Sequence, residues 1–112
     1  MSTTLTNLIE RAQRNKEGKA VLNGRITEWG GYKGPLEEKY AIALEGNAIV
    51  RLRHWGTETL VINTVTKEIL DYYGESNSDR DSMNFVLDYF DMPKEVGRFV
   101  HRPVNGGFFL DK

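Results

Sequence analysis

Two histidines, sixteen carboxylates and no cysteine are the raw material for chemistry in this chain. His54 and His101 are too far apart for a short-spaced metal pair, and no third histidine or thiol completes a ligand set. Each reads as a packed or exposed polar side chain. The carboxylates are many, but no pair stands out from a charged helix face, so spacing selects no general acid and base. Asn77, Asp79 and Asp81 fit the first alternating positions of a calcium loop. Ser82, however, stands where that loop needs Gly, and Asp88 where it needs a bidentate Glu. A helix start explains these acids better. Nucleophile-elbow, phosphate-loop and dinucleotide signatures do not occur. The expectation is a non-enzymatic protein with no cofactor and no metal.

What remains is binding chemistry, and three groups of residues offer it. Trp29 and Tyr32 sit among the glycines of the stretch Trp29 to Pro35, with Arg25 and Lys33 nearby. An aromatic on such a loop can stack on a base or anchor a protein interface, and it can equally fold back over the open end of a sheet. In Ala48 to Trp55, alternation puts Arg51, Arg53 and Trp55 on one face and Val50, Leu52 and His54 on the other. That charged face suits a phosphate backbone, or a solvated surface with cross-strand ion pairs to Glu58, Glu68 or Asp71. The third group is acidic: Glu68, Asp71, Glu75, Asp79, Asp81, Asp88, Asp91 and Glu95, against only Lys67, Arg80 and Lys94 over residues 66–95. Residues 1–35 lean the other way, with Arg11, Arg14, Lys16, Lys19, Arg25 and Lys33 against Glu10, Glu17 and Glu28. The formal net charge of −1 hides this asymmetry.

These groups need elements to position them. Leu5, Leu8, Ile9 and Ala12 recur with helical spacing, and Gly18 is placed to end that helix in a left-handed conformation. From Lys19 to Trp29 the period becomes two, which predicts a strand. A loop through Pro35 follows, then strands over Tyr40 to Leu44, Ala48 to Trp55, Thr57 to Asn63 and Lys67 to Tyr73. Their short connections predict antiparallel pairing. The helical period returns with Met83, Val86, Leu87 and Phe90 inward and Phe85 and Tyr89 flanking. Ser78 and Asp81 are the expected capping box. Pro93 suits the first turn of a short helix through Val100. Asn105-Gly106 offers a tight turn, so the tail is expected as a hairpin or a packed strand. The fold class is therefore α+β: an antiparallel sheet of about five strands, an N-terminal helix and a second amphipathic helix packed on the sheet. At 112 residues the chain suits a single domain. It shows no basic-then-apolar leader and no apolar run of bilayer length, so a cytoplasmic protein without membrane contact is expected.

The succession His54-Trp55-Gly56-Thr57, Asn63-Thr64-Val65-Thr66-Lys67, Tyr72-Tyr73-Gly74 and Ser78-Asp79-Arg80-Asp81-Ser82-Met83-Asn84 resembles small uncharacterised proteins encoded by phages and integrated mobile elements. The resemblance covers about residues 48–90 and implies no catalytic residue. It implies an accessory or defence-countering role, such as inhibition of a CRISPR effector. Two expectations follow. In the first, Asp79, Asp81, Asp88 and Asp91, with Trp29 and Tyr32, dock on a host protein or nucleoprotein complex that processes nucleic acid. In the second, Arg11, Arg14, Arg25, Lys33, Arg51 and Arg53 form one basic surface for nucleic acid itself.

Overall fold

The computed structural model describes residues 2–27, 33–102 and 107–111, the side chains of residues 2, 25–27, 33–35, 101, 102 and 107–109 excepted. Helix α1 (Ser2–Arg14) forms where the apolar spacing predicts it, and Leu5, Leu8, Ile9 and Ala12 are all at most 1% exposed. Gly18, at φ +70°, turns the chain from the helix into the sheet. A Cβ there would stand 2.5 Å from the Leu44 carbonyl oxygen, so both the conformation and the space require glycine.

Five strands then run as an antiparallel meander: β1 (Lys19–Thr27), β2 (Lys33–Glu45), β3 (Ile49–His54), β4 (Thr57–Asn63) and β5 (Glu68–Tyr72), in that spatial order. β2 is much longer than expected, because pairing with β1 continues through Arg25↔Leu36 to Thr27↔Lys33 after the apolar alternation has ended. Lys33 to Pro35, expected in a loop, are strand. Beyond Tyr40 this hairpin runs past β3, whose pairing with β2 spans only Tyr40–Glu45. No buried face is needed there, so hydrophobic pattern gives no sign of it.

Register decides which face is which. The pairs Tyr40↔His54, Ile42↔Leu52 and Leu44↔Val50, continued by Leu52↔Leu60 and Val50↔Ile62, point to the side covered by the helices. Ala41↔Arg53, Ala43↔Arg51 and Arg51↔Val61 point to the opposite side. The smallest dimension, 21 Å, is that of one helix layer on one sheet, and among the described residues the outer sheet face carries no helix. Ala41 and Val61 are nonetheless only 4% exposed on that face, where they stand opposite Arg53 and Arg51 on the paired strand.

Helix α2 (Asn77–Tyr89) buries Met83, Val86 and Leu87 completely, with Phe85, Tyr89 and Phe90 half-buried against the same core. It starts two residues earlier than the expected box. Ser76 is the N-cap and its Oγ accepts from the Asp79 N–H, while Asp79 reaches back to the Ser76 N–H. With Asp79 at the third helical position, its carboxylate both closes the box and reaches the buried His54. The helix ends with the Met92 N–H donating to the Leu87 carbonyl and the Asp91 N–H to the Asp88 carbonyl. This is a Schellman closure with Asp91 in the left-handed position, at φ +53°.

No helix extends to Val100. After Pro93 there is one 3₁₀ turn (Lys94–Val96), stopped by Gly97 at φ +110°, and then the antiparallel hairpin β6 (Arg98–Arg102) and β7 (Gly107–Asp111). A hairpin tail is as expected. It is tied to α2 by Asn84, whose Nδ2 donates to the Phe99 carbonyl while its Oδ1 accepts from the Phe99 N–H, both at 2.8 Å. Among the described residues, no helix is long and apolar enough to cross a membrane.

Candidate functional site

The acidic row does not form as the helical count implies. Asp79 turns inward, its side chain 15% exposed, with Oδ1 2.6 Å from His54 Nδ1. Asp81 stays exposed but bonds Arg80. Asp88 stands between the Arg98 Nε at 3.0 Å and the Lys94 Nζ at 3.6 Å. Asp91 lies past the end of the helix, off its axis. Only Asp81 and Asp88 share a helix side, and both already have a cation beside them. The calcium-loop pattern from Asn77 is helix from its first residue.

The expected basic surface is divided by the sheet. Arg11 and Arg14 belong to α1, on the inner side, and Arg11 donates to the Val21 carbonyl at the edge of β1. Arg51 and Arg53 stand on the outer face. Arg51 pairs there with Glu58 and Glu45, which hold its charge more firmly, and Arg53 with Glu38. The cross-strand pairing to Glu58 is as read from the sequence; Glu45 and Glu38 take the places of Glu68 and Asp71. Arg25 and Lys33 are described by backbone alone, and Trp29 and Tyr32 lie outside the described residues.

Two features come into view only in three dimensions. The first is the free edge of the sheet. Among the described residues, β5 pairs with β4 and with no strand on its other side. Its alternation is broken by a bulge, since Ile62 pairs with Ile69 and Val61 with Asp71, which leaves Leu70 unpaired and 51% exposed. Val65, Tyr72 and Tyr73 are 69%, 45% and 52% exposed, so a run of nine residues carries four of the large exposed apolar side chains. Beside this edge lies an open groove of about 490 Å³ lined by Ile69, Tyr72, Val96 and Leu110 with Glu68, Glu95 and Lys67, whose Nζ donates to the Phe90 carbonyl at 3.2 Å. Among the described residues neither glutamate, nor Asp71, forms an ion pair with a basic side chain. Among the described residues, the three acids of α2 thus each have a cation or His54 beside them, whereas Glu68 and Asp71 on β5 and Glu95 on the 3₁₀ turn do not.

The second feature is a cavity of about 520 Å³ where β2, the β3–β4 turn and the start of α2 meet. His54 lines it and is 7% exposed, with Tyr40 stacked flat on its ring at 4.4 Å and Trp55 tilted at 5.9 Å. Burial pushes the Asp79 carboxyl up, but the Glu75 N–H, His54 and the Ser76 N–H together hold it below its usual value. A carboxylate accepts only, so the Nδ1–H of His54 donates to Asp79, which in the neutral imidazole leaves Nε2 as an acceptor. Trp55 occupies a left-handed position, φ +52°, ahead of Gly56 at φ +82°, in a two-residue hairpin turn where Asn or Gly is usual. At the rim the Tyr73 hydroxyl donates to Glu75 at 2.5 Å; this bond, foremost, and the carboxylate charge push the phenol up. The sequence signal for this cavity was a bulky residue before the turn glycine; the His54–Asp79 contact, across 25 positions, had none.

In comparisons with protein families, curated proteins and solved structures, nothing matches this chain.

Proposed function

We propose that this protein is a non-enzymatic binding module whose β5 edge receives an extended, basic segment of another protein, and that it acts by occupying a surface of a nucleic-acid-processing host complex. The observation that carries this reading is the apolar β5 edge, unpaired among the described residues, beside a groove lined by two glutamates that form no ion pair and by a lysine held by the Phe90 carbonyl. An open strand edge supplies unsatisfied N–H and C=O groups to a partner strand, and alternate side chains of that strand enter the adjoining groove. The free Glu68, Asp71 and Glu95 select Arg and Lys on the partner, and surfaces that face phosphates are rich in both. A second copy of this chain is a poorer occupant, because it brings a second set of Glu68, Asp71 and Glu95 to an edge that already carries these acids.

The test is NMR titration with an acetylated peptide of alternating Arg and Leu. Amide shifts centred on Glu68–Tyr72, lost in a Glu68→Lys/Glu95→Lys variant that melts normally, support the reading. Shifts centred instead on Arg51 and Arg53, or none at saturating peptide, overturn it. A metabolite-dependent thermal shift with no peptide response replaces it with a small-molecule or enzymatic role.

A further inference from the structure

We infer that the cavity beneath Trp55 is a recognition site for a guanidinium or ammonium group, with His54 Nε2 and the Glu75 carboxylate as acceptors and Trp55 and Tyr73 as aromatic walls. Where that cation belongs to a polypeptide, the inference rests on the docking reading above; the chemistry of the cavity does not.

Four observations converge on a cation. His54 is more than nine-tenths buried, lines the cavity and hydrogen-bonds only through Nδ1, so among the described residues Nε2 has no partner. In the neutral imidazole, donation from Nδ1 to Asp79 leaves Nε2 as an acceptor, which calls for a donor from the ligand. The charged lining side chains are Glu75, Asp79 and Lys39, a formal excess of one negative charge, which disfavours phosphates and carboxylates. The aromatic content, with Trp55 at the His54 ring and Tyr73 half-exposed at the rim, suits a flat or diffuse cation better than a small hydrated one. Finally, a cation already sits here: Lys39 Nζ stands 5.9 Å over the Tyr40 ring. We read Lys39 as an internal occupant that an incoming group displaces.

The geometry also connects the cavity to the edge strand. Tyr72 lines the groove beside β5, and the next residue, Tyr73, lines the cavity. Moreover, the Tyr73 N–H donates to the Thr59 carbonyl, which fixes the chain at that junction. A basic side chain on a strand laid along β5 therefore meets the cavity at the strand's end. A free guanidinium compound enters the same site from solvent.

The experiment uses the full chain carrying Trp29→Phe, so that Trp55 is the only indole. The probes are N-acetyl-arginine methylamide, its uncharged norleucine counterpart and the alternating Arg–Leu peptide. Saturable change in Trp55 fluorescence with the arginine compound and not with norleucine is expected. Glu75→Gln should weaken it about fivefold and Lys39→Met strengthen it severalfold, effects of the size of one cation–π or ion-pair contact. Both are at least partly exposed positions, and a melting curve for each variant confirms that it is folded. Equal response to norleucine, or affinity unmoved by both variants, overturns the cation site. Binding of the arginine compound while the peptide leaves the β5 amides unshifted keeps the cation site, assigns it to free small molecules and removes the docking reading.

Discussion

Asp79 combines three structural roles in one carboxylate. It closes the capping box, accepts two backbone N–H groups and holds His54. Its carboxyl titrates below the usual value in the folded protein. The stability this supplies is present above the unfolded-state pKa of about 4 and disappears as pH falls through the lower folded-state value. Asp79→Asn should therefore flatten the acid limb of a stability-against-pH curve below about pH 4. At neutral pH, Asp79→Ala should cost about 1–3 kcal/mol, from lost capping and an orphaned buried nitrogen, read by urea denaturation. Asp91 is the opposite case. It is exposed, forms no ion pair among the described residues and holds a left-handed φ that glycine tolerates without strain. Asp91→Gly relieves a left-handed strain of about 1–2 kcal/mol and gives back part of it through the greater unfolded-state entropy of glycine, so the melting midpoint should rise slightly, and a clear fall would contradict the Schellman assignment.

Among the elements, α2 joins the two sheets. Its Met83, Val86 and Leu87 fill the core under β4, and its Asn84 holds β6 through two hydrogen bonds to one backbone unit. Leu87→Ala should cost about 2–5 kcal/mol by transfer and cavity terms. Phe90, only half-buried at the helix end, should cost less than Leu87 when truncated, although a helical wheel places both inward. Asn84→Ala leaves the Phe99 N–H and carbonyl without partners. It should cost about 1–3 kcal/mol and speed hydrogen exchange across Arg98–Arg102 well before exchange rises in β3 and β4. Uniform acceleration in all strands would show instead that the hairpin and the main sheet open as one unit.

For the molecule as a whole, the two edges of the sheet are managed differently. Arg11 reaches from α1 to the Val21 carbonyl and covers part of the β1 edge, whereas β5 offers Leu70, Tyr72 and open backbone. Leu70→Lys places a charge on that edge, the usual protection against unwanted pairing. At a bulge position 51% exposed, the change should leave stability within about 0.5 kcal/mol while weakening peptide binding and any self-association seen by sedimentation. Association with a basic peptide should also slow as salt rises, because Glu68 and Glu95 are solvent-facing and screened.

Much of the architecture was legible along the chain because it depends on local periodicity. Leu5, Leu8, Ile9 and Ala12 specify a helix face by themselves. The switch from a period of 3.6 to 2 and back placed the strands and α2, and short breaks dictated the meander. The inward set of β3, Val50, Leu52 and His54, was equally readable from alternation. What periodicity cannot report is which polar groups meet when the layers close. Tertiary packing alone brought Asp79 to His54, placed Arg11 and Arg51 on opposite sides of one sheet, and, among the described residues, left the acids of β5 rather than those of α2 without a cation or His54 beside them. The reason is that the hydrophobic pattern fixes only the face of each element. Ion pairs, free edges and cavities are set by relations between elements far apart in sequence, where no spacing rule operates.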